Sequence, residues 1–232
     1  KRIGSAFLNA GAGYGGSCFP KDVKALIQIS KQSGYDFRLL EEVEKINHDA
    51  IHGVVEKAER VLKSIKGKTI AVLGLAFKPD TDDMREAPSI YIVNKLHAKG
   101  AALRVYDPVA SENAKNIFEK LHNIEYTKNA YDAVNNADLT IIVTEWNEFK
   151  QLNTTKIQKL MKNPIIVDAR DEDVSDQFVD RGTIGQSKLG LLTNALIRMA
   201  QQTDQFGQRT TFPASATDRT GISFASAASR TV

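Results

Sequence analysis

The sequence uses cysteine only once in 232 residues. A single cysteine cannot form a disulfide within the chain, so a reducing compartment is expected. The chain also lacks an apolar run of the roughly 20 residues that would span a bilayer. Its first residues, KRIGSAFLNAGAG, lack the apolar segment and cleavage pattern of a signal peptide. We therefore expect a cytoplasmic protein without a membrane segment.

A strong excess of charge of one sign is also missing. The formal net charge is +3, from 31 Lys and Arg residues against 28 Asp and Glu residues. The two signs are interspersed, whereas nucleic-acid-binding proteins usually carry a basic stripe. The content of 42% hydrophobic and 25% charged residues is that of an ordinary soluble protein. We expect no nucleic-acid partner.

An initiator methionine is absent too, and residue 1 stands a few positions before a dense glycine motif. This start predicts that the chain is the later part of a longer protein. Three zones follow along the sequence. Residues 1–66 are predicted to be helical after the glycine loop, residues 67–190 alternate strands and helices, and residues 191–232 form a tail. The tail is rich in Ser, Thr, Ala and Gln, so we expect disorder beyond residue 201.

The helical zone contains two predicted helices. The first spans residues 20–33, because Pro20 suits a first helical turn and Gly34 suits a helix end. The second follows an apolar stripe at spacings of three and four from Leu39 to Ile65. A helix of that length is about 40 Å long at 1.5 Å per residue. Such a long apolar side needs a partner, either another domain or another chain.

The second zone is predicted to be a doubly wound α/β domain with a parallel sheet. Predicted strands cover residues 69–76, 102–107, 139–145 and 164–170, and predicted helices cover 88–99, 111–121, 129–136 and 154–161. Sheets of this kind bind ligands at the carboxyl ends of their strands. Those ends carry Phe77, Lys78, Asp107, Thr144, Glu145, Asp168 and Arg170.

The only cysteine lies within GAGYGGSCFPKDVKAL, residues 11–26. A lone cysteine is more often a small buried apolar residue than a nucleophile. Here, however, glycines ahead of Cys18 allow a ligand to approach the backbone closely. Cys18 also stands before a helix opened by Pro20, where free N–H groups and the helix dipole favour a thiolate. Lys21 would compensate negative charge, and Asp22 would accept a proton or orient a water molecule.

Five segments together resemble the UDP-glucose/GDP-mannose dehydrogenase family: RIGSAFLNAGAGYGGSCFPKD, LGLAFKPDTDDMREAPS, VYDPVA, VTEWNEF and VDAR. The resemblance runs from the start of the chain to about residue 190. It implies a Rossmann-like domain that binds UDP and two NAD-dependent oxidations of UDP-glucose to UDP-glucuronate. In that chemistry the cysteine holds the intermediate first as a thiohemiacetal and then as a thioester, which water releases.

The resemblance also implies roles for individual residues, none of them a metal ligand. Cys18 matches the nucleophile, and Asp22 matches the carboxylate that assists proton transfer and hydrolysis. Lys21 and Arg85 match cofactor contacts. The matched substrate contacts are Arg2, Asn9, Ala10, Gly11, Ala12, Gly13, Tyr14, Gly15, Phe77, Lys78 and Arg170. Arg2 matches an arginine that reaches the substrate of a neighbouring subunit, and the resemblance implies a homodimer, or a higher homo-oligomer, through the long helix.

Several alternatives stay open. Lys78 and Arg85 are also typical solvated loop charges, Phe77 also suits a core, and Arg170 also suits a pair with Asp168 or Glu172. Because GLAFKP is not G-x-G-x-x-G, the α/β domain is not expected to bind a dinucleotide. The resemblance implies an NAD-binding domain and a catalytic lysine and asparagine that precede the cysteine segment and are absent here, so the chain alone is expected to be inactive. Two other functions remain. One is a dehydrogenase of another nucleotide sugar, although relatives acting on N-acetylated sugars tend to carry histidine where this chain has Ser17. The other is a non-catalytic nucleotide-sugar-binding or assembly module.

Overall fold

The computed structural model describes residues 11–170. These residues form seven helices and five strands. In chain order they are α1 (Phe19–Gln32), α2 (Arg38–Leu62), β1 (Thr69–Leu73), α3 (Pro88–Ala98), β2 (Ala102–Tyr106), α4 (Ser111–Ile117), β3 (Ile124–Tyr126), α5 (Ala130–Val134), β4 (Leu139–Ile142), α6 (Asn147–Lys150), α7 (Thr154–Leu160) and β5 (Ile166–Asp168).

The two long helices lie close to their predicted places. Pro20 stands in the first turn of α1, where its missing N–H costs no hydrogen bond. The helix ends before Gly34, which has a φ of +75°. Helix α2 ends at Leu62, short of the predicted stripe, because Lys63 turns into the left-handed region with a φ of +60°. Ile65 is still buried, so the apolar pattern continues into the connection that follows the helix.

The five strands form one parallel sheet in the order β3-β2-β1-β4-β5. This arrangement confirms the predicted α/β class. The chain winds outward from β1 through β2 to β3 and then returns to place β4 on the other side of β1. The connections therefore reverse between β1 and β4, and ligands of open parallel sheets bind at the carboxyl ends of strands at such a switch point.

Each face of the sheet carries its own buried core. In β1, Ile70 and Val72 pack toward α2, α3 and α4, whereas Ala71 and Leu73 pack toward α5, α6 and α7. Successive side chains of a strand point to opposite faces, so a strand that is buried on both faces must be apolar throughout. This requirement explains the continuous apolar run from which the sequence predicted a strand.

All four predicted strands extend beyond the observed ones. Strand β1 stops at Leu73 because Gly74 has a φ of +89° and approaches Thr144 closely; a β-carbon at Gly74 would lie 2.5 Å from that of Thr144. The three-residue β3 and the one-turn α6 were not predicted, because neither is long enough to show a period.

Some predictions fall outside the described residues, namely those on residues 1–10 and on residues 171–232, the tail included. The proposed division at residue 66 and residue 190 likewise stays a prediction. Between residues 11 and 170, no helix is both long enough and apolar enough to cross a membrane.

Candidate active site

The glycine loop ahead of Cys18 docks onto the loop that follows β1. The Gly16 amide donates a hydrogen bond to the carbonyl of Arg85 at 2.9 Å. At the neighbouring position, a β-carbon on Gly15 would lie only 2.3 Å from the carbonyl oxygen of Glu86. The two backbones can approach this closely only because position 15 has no side chain. Contacts between residues about 70 positions apart therefore join the two longest motifs of the sequence.

The Phe77 ring packs beside the contact between the glycine loop and the loop after β1. A β-carbon at Gly16 would lie 2.8 Å from Cε2 of the Phe77 ring, and the φ of Gly16 is +90°. Phe77 is partly buried against the main core, as a core residue would be, and it also contacts the glycine loop. Lys78 is exposed, with its ammonium 5.4 Å from the centroid of the Phe77 ring. Phe77 thus links the core to the candidate site, and Lys78 stands at its solvent side.

Helix α2 holds the other side of the glycine loop. The Tyr14 amide donates to Oδ1 of Asn47 at 2.6 Å, and Nδ2 of Asn47 donates back to the Tyr14 carbonyl at 3.1 Å. The Tyr14 hydroxyl donates to a carboxylate oxygen of Glu44. Burial, followed by this bond, raises the pKa of Tyr14 well above its ordinary value, so the hydroxyl stays protonated. Asn47 and Glu44 were not predicted as site residues.

Cys18 caps the N-terminus of α1 and is exposed. Its carbonyl accepts the Asp22 amide at 2.8 Å, and its sulfur lies 3.7 Å from Oγ of Ser17. Lys21 and Asp22 form an exposed ion pair at 2.6 Å. The hydrogen bond and charge of Asp22 raise the pKa of Lys21, and the Cys18 thiolate adds to that rise. The sulfur therefore lies at the N-terminus of a helix, close enough to Lys21 for their charges to interact.

Arg85 supplies a second cation on this side. Its guanidinium binds Asp83 through a bidentate contact, with Nη2 2.7 Å from Oδ2 and Nε 3.0 Å from Oδ1. The hydrogen bond from Arg85 lowers the pKa of Asp83, and the pKa of Arg85 is raised first by Asp83 and to a smaller extent by the charge of Cys18. Arg85 is exposed, and its partner fixes its direction, so it is more ordered than a free loop charge.

Arg170, two residues after the end of β5, lies against the glycine loop at Gly11. Its Nη2 lies 2.7 Å from Oε1 of Glu145, and its Nη1 lies 2.5 Å from the place that a β-carbon on Gly11 would take. The Arg170 amide donates to Oδ1 of Asp168 at 2.8 Å, and Glu172 lies outside the described residues. Nε of Arg170 is buried and has no hydrogen-bond partner among residues 11–170. A buried N–H group of this kind favours binding of an acceptor atom from a ligand.

The turn after β1 does not form a dinucleotide cradle. In that motif a helix starts directly after the first strand and its N–H groups bind the pyrophosphate. Here residues 74–87 separate β1 from α3. The amides of Leu75 and Ala76 instead donate to buried Asp107, at 2.7 and 3.1 Å. This carboxylate follows β2, where a dinucleotide-binding domain would present an acidic side chain to ribose.

A cavity of about 430 Å³ lies at the opposite, amino end of β1, β2 and β3. Its one arginine, Arg104, is bound by both oxygens of Glu125 at 2.9 Å and by the carbonyl of Asn135. Because these bonds occupy the guanidinium, we place the candidate site at the carboxyl ends of the strands instead.

The structure therefore brings together most of the predicted site residues that it describes. Gly11, Gly13, Tyr14 and Gly15 form the loop with buried Ala12, and Phe77, Lys78, Arg85 and Arg170 surround it. Arg2, Asn9 and Ala10 lie outside the described residues. Sequence reasoning missed Asn47 and Glu44, and it placed Glu145 at a strand end without pairing it with Arg170. The spacing of Glu44 and Asn47 by three residues on a helix was the one available signal.

Two family models match the chain. The model described as the UDP-glucose/GDP-mannose dehydrogenase family, UDP binding domain, matches residues 71–172, and the model of the same family's central domain matches residues 1–49. Together they cover more than half of the sequence.

Curated relatives carry the same family signal. A UDP-glucose 6-dehydrogenase of Bacillus subtilis, YwqF, is 47% identical over 182 residues, which are 78% of this chain and 41% of the relative. A UDP-glucose 6-dehydrogenase of Rickettsia bellii is 45% identical over 183 residues, 78% of this chain and 42% of the relative. The chain thus spans about two fifths of the length of these relatives.

Solved structures share the fold. A UDP-glucose dehydrogenase of Pyrobaculum islandicum superposes with a TM-score of 0.70 at 29% identity, covering 80% of this chain and 40% of that one. A UDP-D-ManNAc dehydrogenase of Pyrococcus horikoshii superposes with a TM-score of 0.57 at 30% identity, covering 69% of this chain and 36% of that one.

The docking of the loops predicts the effect of Gly15→Ala. The added β-carbon would collide with the Glu86 carbonyl, so the loops must separate or shift, at a cost of about 1–3 kcal/mol of stability. Hydrogen exchange of the Gly16 amide should accelerate, because its bond to Arg85 is lost. Gly53→Ala on α2 is the matched control: open space surrounds a β-carbon there, and alanine should leave stability equal or improve it by up to about 1 kcal/mol. Unchanged Gly16 protection in Gly15→Ala would contradict this description of the site.

Proposed function

The chain belongs to the UDP-glucose/GDP-mannose dehydrogenase family, and from this premise we propose that it is the central and UDP-binding part of an NAD-dependent UDP-glucose 6-dehydrogenase. One structural observation carries the proposal. The loop that ends at Cys18 is fastened to the carboxyl-end loop of β1 through Gly15, Gly16 and Phe77. A substrate held at the strand ends would therefore lie beside the loop that carries the sulfur.

In the proposed reaction, Cys18 holds the substrate between two oxidations. NAD, when bound, accepts a hydride in each oxidation. After the alcohol has become an aldehyde, the Cys18 thiolate adds to the aldehyde carbon and the carbonyl oxygen takes a proton, which gives a thiohemiacetal. The second oxidation leaves a thioester on Cys18. Water then attacks the thioester carbon, the thiolate departs, and Asp22 assists the proton transfer.

The remaining residues would bind and orient. The nucleotide would lie along residues 11–15, against Phe77, with Lys78 and Arg170 as the cations for its polar groups. The described residues offer no cradle for a dinucleotide, but Lys21 and Arg85 are exposed cations on the cysteine side. They fit contacts to NAD held mainly by a part of the protein beyond these residues. A domain of this kind would not turn over alone.

The covalent step predicts the behaviour of Cys18→Ser in the complete polypeptide that contains these residues. Acid formation should fall by at least about a thousandfold, because serine lacks the thiolate that captures the aldehyde. Binding of UDP-glucose, measured by calorimetry, should stay nearly unchanged, since the nucleotide contacts are untouched. The product is followed as UDP-glucuronate by chromatography. Normal acid formation in this variant would refute the covalent mechanism.

The strand-end loops predict a preference for UDP over NAD in the chain itself. Calorimetry should show UDP binding and much weaker NAD binding, because the turn after β1 has no free helix N-terminus for a pyrophosphate. Lys78→Ala should weaken UDP binding by about tenfold, the value of one charge-assisted hydrogen bond. Lys120→Ala removes another exposed lysine and serves as the control. Tighter binding of NAD than of UDP would reverse the assignment.

We also propose that a second copy of the chain covers the outer face of α1 and α2. Large apolar side chains are exposed there, with Ile29 at 56%, Leu39 at 69% and Ile46 at 42% exposure. Large exposed apolar side chains on neighbouring helices are typical of an interaction surface, and most homodimers meet across a two-fold axis.

Light scattering decides whether the dimer forms through this face. Ile46→Glu should shift the mass from dimer to monomer without unfolding, since the side chain points to solvent within one chain. Ile117→Glu is the control at nearly equal exposure, 43%, on α4. Ile51 is unsuitable for the test because it packs against Gly13 and the core. A monomeric parent chain at micromolar concentration would exclude the dimer.

A second candidate function is oxidation of an N-acetylated nucleotide sugar. The similarity to the Pyrococcus horikoshii enzyme, at 30% identity, supports this second candidate. Ser17 and the higher identity to UDP-glucose 6-dehydrogenases favour UDP-glucose. Competition between UDP-glucose and UDP-N-acetylmannosamine for the chain discriminates the two substrates. A non-catalytic binding module would bind UDP-glucose while the complete polypeptide formed no acid.

A further inference from the structure

Two histidines lie side by side on α2, outside the candidate active site. His48 and His52 are one helical turn apart, and their Nε2 atoms are 2.8 Å from each other. Their ring centroids are 3.9 Å apart, with the ring planes inclined by 43°. The two nitrogens are hydrogen-bonded to each other, with the donor set by the tautomer of each ring. The two Nε2 atoms therefore converge, and a metal ion that replaced their shared proton would contact both.

Each ring also has an oxygen near its other nitrogen. The Tyr91 hydroxyl of α3 is 2.8 Å from Nδ1 of His52, and the Asp49 carboxylate is 4.0 Å from Nδ1 of His48. A histidine that binds a metal through Nε2 must carry its proton on Nδ1. The Tyr91 contact fits that tautomer for His52, whereas the 4.0 Å contact of His48 is longer than a hydrogen bond and leaves its ring free to choose.

We propose that His48 and His52 form a two-nitrogen chelate site for a divalent first-row transition metal ion. Two ligands at about 2.0–2.1 Å from a metal are about 2.9 Å apart when they meet at a right angle and about 3.4 Å apart in a tetrahedron. The observed 2.8 Å matches the right angle. Imidazole ligands at right angles are typical of Cu²⁺ and Ni²⁺, so these ions fit better than Zn²⁺.

The surrounding charges are compatible with a bound cation. Asp49 and Glu56 contribute negative charge near the pair, whereas Lys95, whose ammonium is 5.5 Å from the Tyr91 ring centroid, contributes positive charge.

Water would complete the coordination. Among residues 11–170 no group of three or more His, Cys, Asp and Glu side chains is arranged to hold a metal ion. A site with two protein ligands binds more weakly than a structural zinc site. It still benefits from the second histidine, which the helix presents at a high effective concentration.

Calorimetric titration of the untagged chain with NiCl₂ at pH 8 tests the proposal. One ion should bind per chain. His48→Ala and His52→Ala should each weaken binding by roughly a hundredfold, because each leaves a single ligand in place of a chelate. Tyr91→Phe should weaken it by about tenfold, since it removes the oxygen that orients His52.

Two controls complete the test. The other two histidines, His97 and His122, are replaced together by alanine, and this variant should bind like the parent chain. Cys18→Ser should also bind normally, because the sulfur takes no part in the chelate. Absence of binding at millimolar nickel, or binding that survives the His48→Ala/His52→Ala double variant, would overturn the proposal. Loss of binding in Cys18→Ser would overturn it as well.

Discussion

A buried carboxylate determines how the carboxyl ends of the strands are arranged. Asp107 is 1% exposed and accepts hydrogen bonds from the amides of Leu75, Ala76, Val109 and Ala110 and from Nε1 of Trp146. These donors belong to the connections after β1, β2 and β4. A buried anion is tolerated only when its acceptor sites are filled, and the donors gain a charged acceptor in return. One side chain after β2 thus fixes both loops that flank the switch point of the sheet.

The sequence was sufficient for the parallel sheet but not for its limits. Central strands are buried on both faces, so their apolar runs identify them without knowledge of their neighbours. Their ends depend on contacts between distant residues, such as Gly74 with Thr144 and the turn that Asp107 binds. Strand β3 lies at the sheet edge and pairs only with β2, so its three residues carry little apolar signal.

The candidate site was predicted through two long motifs, whereas the residues that position it were missed for a physical reason. Asn47 binds the Tyr14 backbone across 33 positions, and Glu44 accepts the Tyr14 hydroxyl across 30. Their spacing along α2 shows that they share a helix face, but not which loop they bind. They are chosen by the geometry of two backbones in contact, which exists only after the sheet and α2 have packed together. The sequence shows the glycines near the cysteine, but it does not show which part of the chain packs against each of them.

The loop before Cys18 is restrained on both sides, by Asn47 of α2 and by the Arg85 carbonyl of the loop after β1. The sulfur itself has only a 3.7 Å contact to Ser17 and is exposed. This combination suits a nucleophile whose substrate arrives from solution. A fixed backbone limits the positions that the sulfur can sample, and an open side chain lets it add to a carbon and leave again. Because the two restraints come from α2 and from the sheet, the place of the sulfur depends on how these two parts pack. The apolar contact of Ala12, Val54 and Val55 with the sheet core is therefore as necessary to the site as the polar contacts around it.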